Sequence, residues 1–372
     1  MAEETPFGVY VHIPFCASRC DYCAFATWTD KAHLVGGYVE ACRAAVGRFV
    51  TEGRPATSVF FGGGTPSLIG ADLLCSILEL IPTQPGAEVT VECNPETVDT
   101  AKLAAYRAAG VNRLSFGVQS MLPHVLASLG RRHDPESVLK AAAAAGEAGF
   151  AGAFNVDLII GGKAETVSDW ARTVEAVLAL DPPPVHVSAY SLTVEAGTPL
   201  ARDRSRHPDP DDQADKYLLA DDLLGAAGLR WYEISNWAAP GSECGHNQLY
   251  WAGGEYRGIG CAAHSHAVNP DTGVSRRWWN VRTPERYAAL VASGGDGEAC
   301  GESLDASQRR AERLLLALRT SNGVPESSLP GWREDPVLAR LVEPASPGRV
   351  SLTREGRLLA NEVALRLVDP GF

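Results

Sequence analysis

One alternation constrains this chain more than any other feature. In the first 200 residues, six short runs rich in β-branched and aromatic residues occur at 8–15, 58–63, 88–93, 113–119, 154–160 and 185–192. Segments with helical spacing separate them at 35–52, 71–81, 100–109, 136–148 and 167–180. The run Ala141 to Ala145 reads as plain helix, because alanine has the highest helix propensity. Near-continuous apolar strands separated by helices predict a parallel sheet covered on both faces, an α/β architecture. Six repeats fit an open (β/α)6 partial TIM barrel better than a closed eight-fold ring. In either, functional groups gather at the C-terminal ends of the strands and in the loops that follow.

This core is expected to occupy 1–200. The charged, proline-bearing stretch ARDRSRHPDPDD at 201–212 marks a boundary. It opens a linker and α+β segment over 201–305, with a helix from 213 to about Gly228 and a Gly-, Trp- and His-rich stretch. Residues 306–372 are expected to form a winged-helix-like appendage, with a helix over 308–320 and the closing run RVSLTREGRLLANEVALRLV. The chain has 33 Lys plus Arg against 45 Asp plus Glu, a formal charge of −12. Phosphate backbones repel such a surface, so nucleic acid is not an expected partner. No run of about 18 apolar residues exists, and the N-terminus shows no secretory signal. Both absences predict a cytoplasmic protein without an integral membrane segment.

Nine cysteines, an odd number, argue against a disulfide framework. Cys42, Cys75, Cys93, Cys261 and Cys300 lie apart and are expected to be small buried residues. Cys16, Cys20 and Cys23 instead crowd into YVHIPFCASRCDYCAF as C-x3-C-x2-C, directly after a predicted strand. Zinc usually takes four ligands in two pairs, and no second C-x2-C exists. Thiolates are the ligands of iron–sulfur clusters, and three of them leave one iron of a [4Fe–4S] cube open. An open iron can chelate the amino and carboxylate groups of S-adenosylmethionine (SAM). Electron transfer to the sulfonium then splits it into methionine and a 5′-deoxyadenosyl radical. His12 is expected to pack within its strand.

This spacing, with Tyr22 before the third cysteine, resembles the radical-SAM superfamily. The words around it, Tyr10 and His12-Ile13-Pro14-Phe15 and then FFGGGTPS, resemble the oxygen-independent coproporphyrinogen III oxidase branch over nearly the whole chain. Gly62 to Gly64 let backbone groups approach a ligand where a side chain would collide. By resemblance, Gly63, Gly64 and Thr65 meet the methionyl group of SAM, and Arg131 its carboxylate. Glu92 meets methionyl or ribose atoms, Gln119 and Asp157 the ribose, and Tyr10 and Phe25 complete the set. After Asp157 the sequence IIGGKAET departs from the YGLP-like turn of the family.

Two features separate members of the branch. In the decarboxylating oxidases a fourth cysteine lies two positions past the third, where this chain has Phe25; they also carry an extension before the motif. The words Cys244-Gly-His246-Asn-Gln-Leu-Tyr250-Trp251 resemble the His-Asn-x-x-Tyr-Trp signature of HemW-type haem chaperones. An imidazole can ligate haem iron, and Tyr and Trp can pack on a porphyrin face. The resemblance implies haem at His246, Tyr250 and Trp251, with His264, His266 and Cys244 as further candidates for the iron. A histidine beside aromatics can equally be a hydrogen-bonded structural residue. The implied function is a chaperone holding a [4Fe–4S] cluster, SAM and haem and passing haem to apo-haemoproteins. The resemblance also implies an electron donor, and a cluster that serves a homodimer or delivery rather than turnover. The alternatives are a coproporphyrinogen III dehydrogenase and a radical-SAM enzyme that modifies haem.

Overall fold

The computed structural model describes residues 6–50 and 53–368. Its first six strands are β1 (Phe7–Ile13), β2 (Ala56–Gly63), β3 (Thr83–Cys93), β4 (Arg113–Gln119), β5 (Phe154–Ile160) and β6 (His186–Ser191). Each pairs in parallel with the next. Their sequences explain this: FGVYVHI in β1 and FNVDLII in β5 are buried on both faces, as a sheet covered by helices demands. β3 begins five residues before the expected start, because Thr83 pairs with Ala56 across an irregular, Pro- and Gly-bearing stretch.

The crossover helices start where local chemistry tells them to. The Asp99 side chain accepts from the Lys102 amide to cap helix Thr100–Ala108, and Asp134 accepts from Ser137 to cap Pro135–Glu147. Thr166 and Asp169 form a reciprocal capping box on Val167–Leu178. The first crossover helix is described over Val35–Val50; the last two residues of the expected 35–52 lie outside the described residues.

The remaining strands extend both ends of this one sheet. β7 (Arg230–Glu233) and β8 (Asn236–Ala238) add beyond β6. β9 (Glu255–Ile259) pairs in parallel with β1 and is followed outward by β10 (His264–Val268), β11 (Ser275–Asn280) and β12 (Glu298–Leu304). The edge strands are β12 and β7, so the sheet curls as an open barrel rather than closing. Tyr217, Trp237, Ile259 and Tyr287 from 201–305 share the hydrophobic cluster of the first six strands.

A separate cluster around Leu318, Trp332, Leu341 and Val363 lies in the last segment. There helix Ala306–Ala317 precedes a small antiparallel sheet of Val324–Pro325, Arg349–Leu352 and Val342–Ser346, and helices Arg354–Leu358 and Ala360–Val368 follow. Residues 369–372 of the expected appendage lie outside the described residues. Arg357 ties this segment to the barrel, 2.9 Å from Asp221 and 3.9 Å above the Trp231 ring. Among the described residues no helix is long and apolar enough to cross a membrane.

Candidate functional site

The cysteine loop leaves the end of β1 and is closed at its base by backbone. Cys16 donates to the Trp28 carbonyl at 3.0 Å, and Trp28 donates to Pro14 at 2.8 Å. His12 braces the loop from inside. It is buried, its Nε2 donates to the Ala26 carbonyl at 2.9 Å, and its Nδ1 accepts from the Tyr10 hydroxyl at 3.1 Å. Burial pulls its pKa down to about 4, so it stays neutral in this role. The expectation that His12 packs in its strand therefore holds, with a bracing function added.

All nine cysteines are free thiols. Cys42, Cys75, Cys93 and Cys261 are buried as expected, but Cys300 is exposed, because it sits on the edge strand β12. Cys16, Cys20 and Cys23 are half-buried. The Cys16 Sγ lies 3.7 Å from Thr65 Oγ1, and the Cys20 Sγ lies 3.5 Å from Arg131 Nη1. Burial pushes the Cys16 and Cys23 thiols up, against the Thr65 hydroxyl at Cys16 and the backbone at Phe25 for Cys23. A bound metal centre supplies the positive charge that turns such thiols into thiolates.

The glycine word packs directly under this loop. A Cβ on Gly64 would stand 2.7 Å from the Phe15 carbonyl oxygen, and Gly63 has φ +113°. Gly64 and Thr65 donate to the carbonyls of Ile13 and Phe15, both at 2.8 Å. The backbone here approaches as only glycine allows.

Arg131 and Gln119 complete this end of the barrel. Arg131 Nη2 donates to Asn94 Oδ1 at 3.0 Å and to the Gly117 carbonyl at 2.7 Å, while its Nε has no partner. Gln119 takes φ +61°, a left-handed conformation, and its buried Oε1 is without a partner. Strained backbone and an orphaned acceptor at a strand end are what a ligand-binding position shows. Glu92 accepts from the Gly63 amide at 3.1 Å, and burial, reinforced by Asp157, raises its pKa to about 8. Asp157 accepts from Ser115 Oγ and Asn155 Nδ2, each at 2.8 Å. After β5, the departing turn is held by a buried pair: Glu165 accepts from the Gly161 amide and lies 3.3 Å from the Lys216 ammonium.

Tyr10, Phe25, Gly63 and Glu92 share a cavity of about 640 Å³ with Tyr250. Phe25 is 67% exposed and presents its ring to this space. Thr65, Gln119, Arg131 and Asp157 lie outside that lining. Tyr256, Arg277, Arg282 and Glu312, which no sequence motif marks, also line it. They come from β9, β11, the turn after β11 and helix Ala306–Ala317. The alternation in EYRGI and SRRWWN was the available signal, although it does not say which face meets the cavity.

The residues expected to hold haem are not all in one place. Helix Gly245–Trp251 is anchored at its start by Glu88, which accepts from the amides of Gly245 at 2.9 Å and His246 at 3.1 Å. His246 is 1% exposed, with Nδ1 2.8 Å from Ser58 Oγ and Nε2 3.0 Å from the Tyr250 hydroxyl. Its ring stacks on Phe60 at 5.3 Å, and burial lowers its pKa to about 4. Tyr250 lines the first cavity, whereas Trp251 lines a second of about 940 Å³, with Leu249, Arg310 and Arg313. Cys244 is buried beside Glu88, and burial pushes its thiol up to about 12.

A parallel barrel with a three-thiol loop after its first strand and a glycine turn after its second defines a radical-SAM protein. The family model of the Radical SAM superfamily matches residues 10–177. The Heme chaperone HemW of Mycobacterium tuberculosis is 41% identical, with 98% of this chain and 95% of the relative covered. That of Escherichia coli is 33% identical, with 98% of both covered. The solved coproporphyrinogen III oxidase HemN of Escherichia coli superposes with a TM-score of 0.82 at 22% identity, covering 98% of this chain and 90% of its own. The chain belongs to the HemW family.

Proposed function

We propose that this protein is a cytoplasmic haem chaperone that binds a [4Fe–4S] cluster, SAM and haem and delivers haem to apo-haemoproteins. Family membership over nearly the full length is the observation that carries this reading. Cys16, Cys20 and Cys23 are the residues for the cluster: three half-buried thiols on one pinned loop, with Arg131 and Thr65 against them. When bound, the cluster supplies an open iron for SAM and a source of single electrons.

The chain's own residues account for the rest. Gly63 and Gly64 give SAM a backbone surface, Arg131 a cation for its carboxylate, and Glu92 an acceptor for its ammonium. The orphaned Gln119 Oε1 and the Asp157 carboxylate offer acceptors for ribose hydroxyls. His12 keeps the loop seated without carrying charge. An electron donor serves the cluster, and a homodimer is the assembly in which the cluster assists delivery.

The test is anaerobic reconstitution with iron and sulfide, then haem titration and transfer to a haem-free acceptor protein. Stoichiometric haem binding and transfer are expected. Decarboxylation of coproporphyrinogen in the presence of SAM and reductant would overturn the reading.

A further inference from the structure

Arg19 lies within the cysteine loop, and its Nη2 donates to the Cys23 carbonyl at 3.4 Å. Asp21, two residues further on, ties two distant segments to that loop. Its amide donates to the Leu129 carbonyl at 3.2 Å, and its own carbonyl accepts from the Leu200 amide at 3.0 Å. Its carboxylate pairs with Arg206 at 2.7 Å. A third segment joins through Lys163, which donates to Ser205 Oγ at 3.1 Å. Residues 128–134, 161–163 and 199–206 are thus gathered beside the loop that carries Cys16, Cys20 and Cys23.

Together these segments concentrate positive charge. Arg19, Arg132, Lys163, Arg202 and Arg204 are exposed, and none of them forms an ion pair among the described residues. The acids they carry are already engaged. Asp21 meets Arg206, Asp134 accepts from the Ser137 amide, and Asp203 accepts from the amide and hydroxyl of Ser205. The chain as a whole has a formal charge of −12, so a cationic cluster here inverts the prevailing field. Such a field draws an acidic protein to this face and repels it from the rest of the surface. Electron transfer between proteins weakens steeply with distance, so a carrier must dock close to the centre it reduces. The five cations stand on or beside the loop whose three half-buried thiols hold that centre. Electron-transfer encounters also use small, transient interfaces, in which charge does more than buried area.

We propose that Arg19, Arg132, Lys163, Arg202 and Arg204 form the docking surface for an acidic one-electron carrier protein that reduces the cluster. This assignment rests on the cluster reading above. In the encounter the reduced carrier gives up one electron and the cluster takes it up, with no bond made or broken between the two proteins.

The experiment uses the full-length, cluster-reconstituted protein with flavodoxin, an acidic one-electron carrier, as the probe. Binding is read by calorimetry with the oxidised carrier, and cluster reduction by stopped-flow absorbance with the reduced one. In the double variant Arg202→Glu/Arg204→Glu, affinity and the second-order rate of reduction fall roughly tenfold or more at low salt. Arg132→Glu moves both in the same direction. Raising the salt to about 0.5 M slows the wild type and narrows its lead, because surface charges are then screened. Iron content stays as in the wild type, and reduction by methyl viologen, a small cationic reductant, is not slowed. Arg230→Glu serves as the control. Arg230 is exposed and in register with the start of β6, at the end of the barrel opposite the cysteine loop. A wild-type rate in the double variant overturns the assignment, as does an equal loss in Arg230→Glu. So does slower reduction by methyl viologen, which marks a damaged cluster instead. Salt-sensitive binding of anionic lipid vesicles without binding of flavodoxin gives the patch to a different partner and overturns it too. If the wild type takes up no cluster, the cluster reading falls and takes the assignment with it.

Discussion

The Nε2 of His246 lies 3.0 Å from the Tyr250 hydroxyl, one helical turn further along, while Nδ1 meets Ser58 at 2.8 Å. Both ring nitrogens are thus spent inside the protein, tying the Gly245–Trp251 helix to β2. The histidine of the His-Asn-x-x-Tyr-Trp signature therefore reads as a fastening, and the Tyr and Trp face different cavities.

Removing that fastening is expected to cost stability. In His246→Ala two hydroxyls lose a buried partner and a ring-sized gap opens, so unfolding free energy falls by about 2–4 kcal/mol. Urea unfolding checks this. Wild-type stability in the variant would show that the imidazole is not structural.

Cys20→Ser tests the cluster loop. The Cys20 side chain is half-buried and outside the hydrophobic clusters, so apo-protein stability should change by less than about 1 kcal/mol. The broad visible absorption of the reconstituted protein should vanish. A full iron and sulfide content in this variant would remove Cys20 from the ligand set.

Glu92 gives a pH dependence with a definite sign. Burial, then Asp157, raises its pKa from an ordinary 4.5 to about 8, so the folded protein binds more protons than the unfolded chain between those values. Its contribution to stability is complete below about pH 4.5 and is lost as pH rises through 8. An ammonium group on SAM favours the ionised carboxylate, so SAM binding should tighten as pH rises toward 8. Glu92→Gln should flatten both trends, measured by denaturation and by equilibrium dialysis. An identical pH profile for SAM in the variant would place Glu92 outside the binding step.

Arg131 spans Cys20, Asn94 and Gly117 with one planar fork. Lysine has a single ammonium and does not bridge these points, so Arg131→Lys should weaken SAM roughly tenfold or more. Iron content should stay near that of the wild type. Undiminished SAM affinity would move the carboxylate partner elsewhere.

Much of this was legible in one dimension because its causes are local. The six strands follow from runs of apolar residues that only a doubly covered sheet accommodates, and the structure places them within a few residues of expectation. C-x3-C-x2-C and Gly62 to Gly64 are equally local, since a loop and a tight turn are built from neighbouring residues. Cys300 shows the limit: nothing near it in sequence says that its strand ends as an edge.

What tertiary structure alone decided is which side chains share a space. β9 pairs with β1 across more than 240 residues of sequence, and this brings Tyr256 and His266 to the cavity that Tyr10 and Glu92 enter. Contacts equally distant in sequence bury His246 against Ser58. Sequence determined which groups can bind iron, because that is a property of each side chain. Packing decided what each histidine does, because that depends on the hydrogen-bond partners each ring meets in three dimensions.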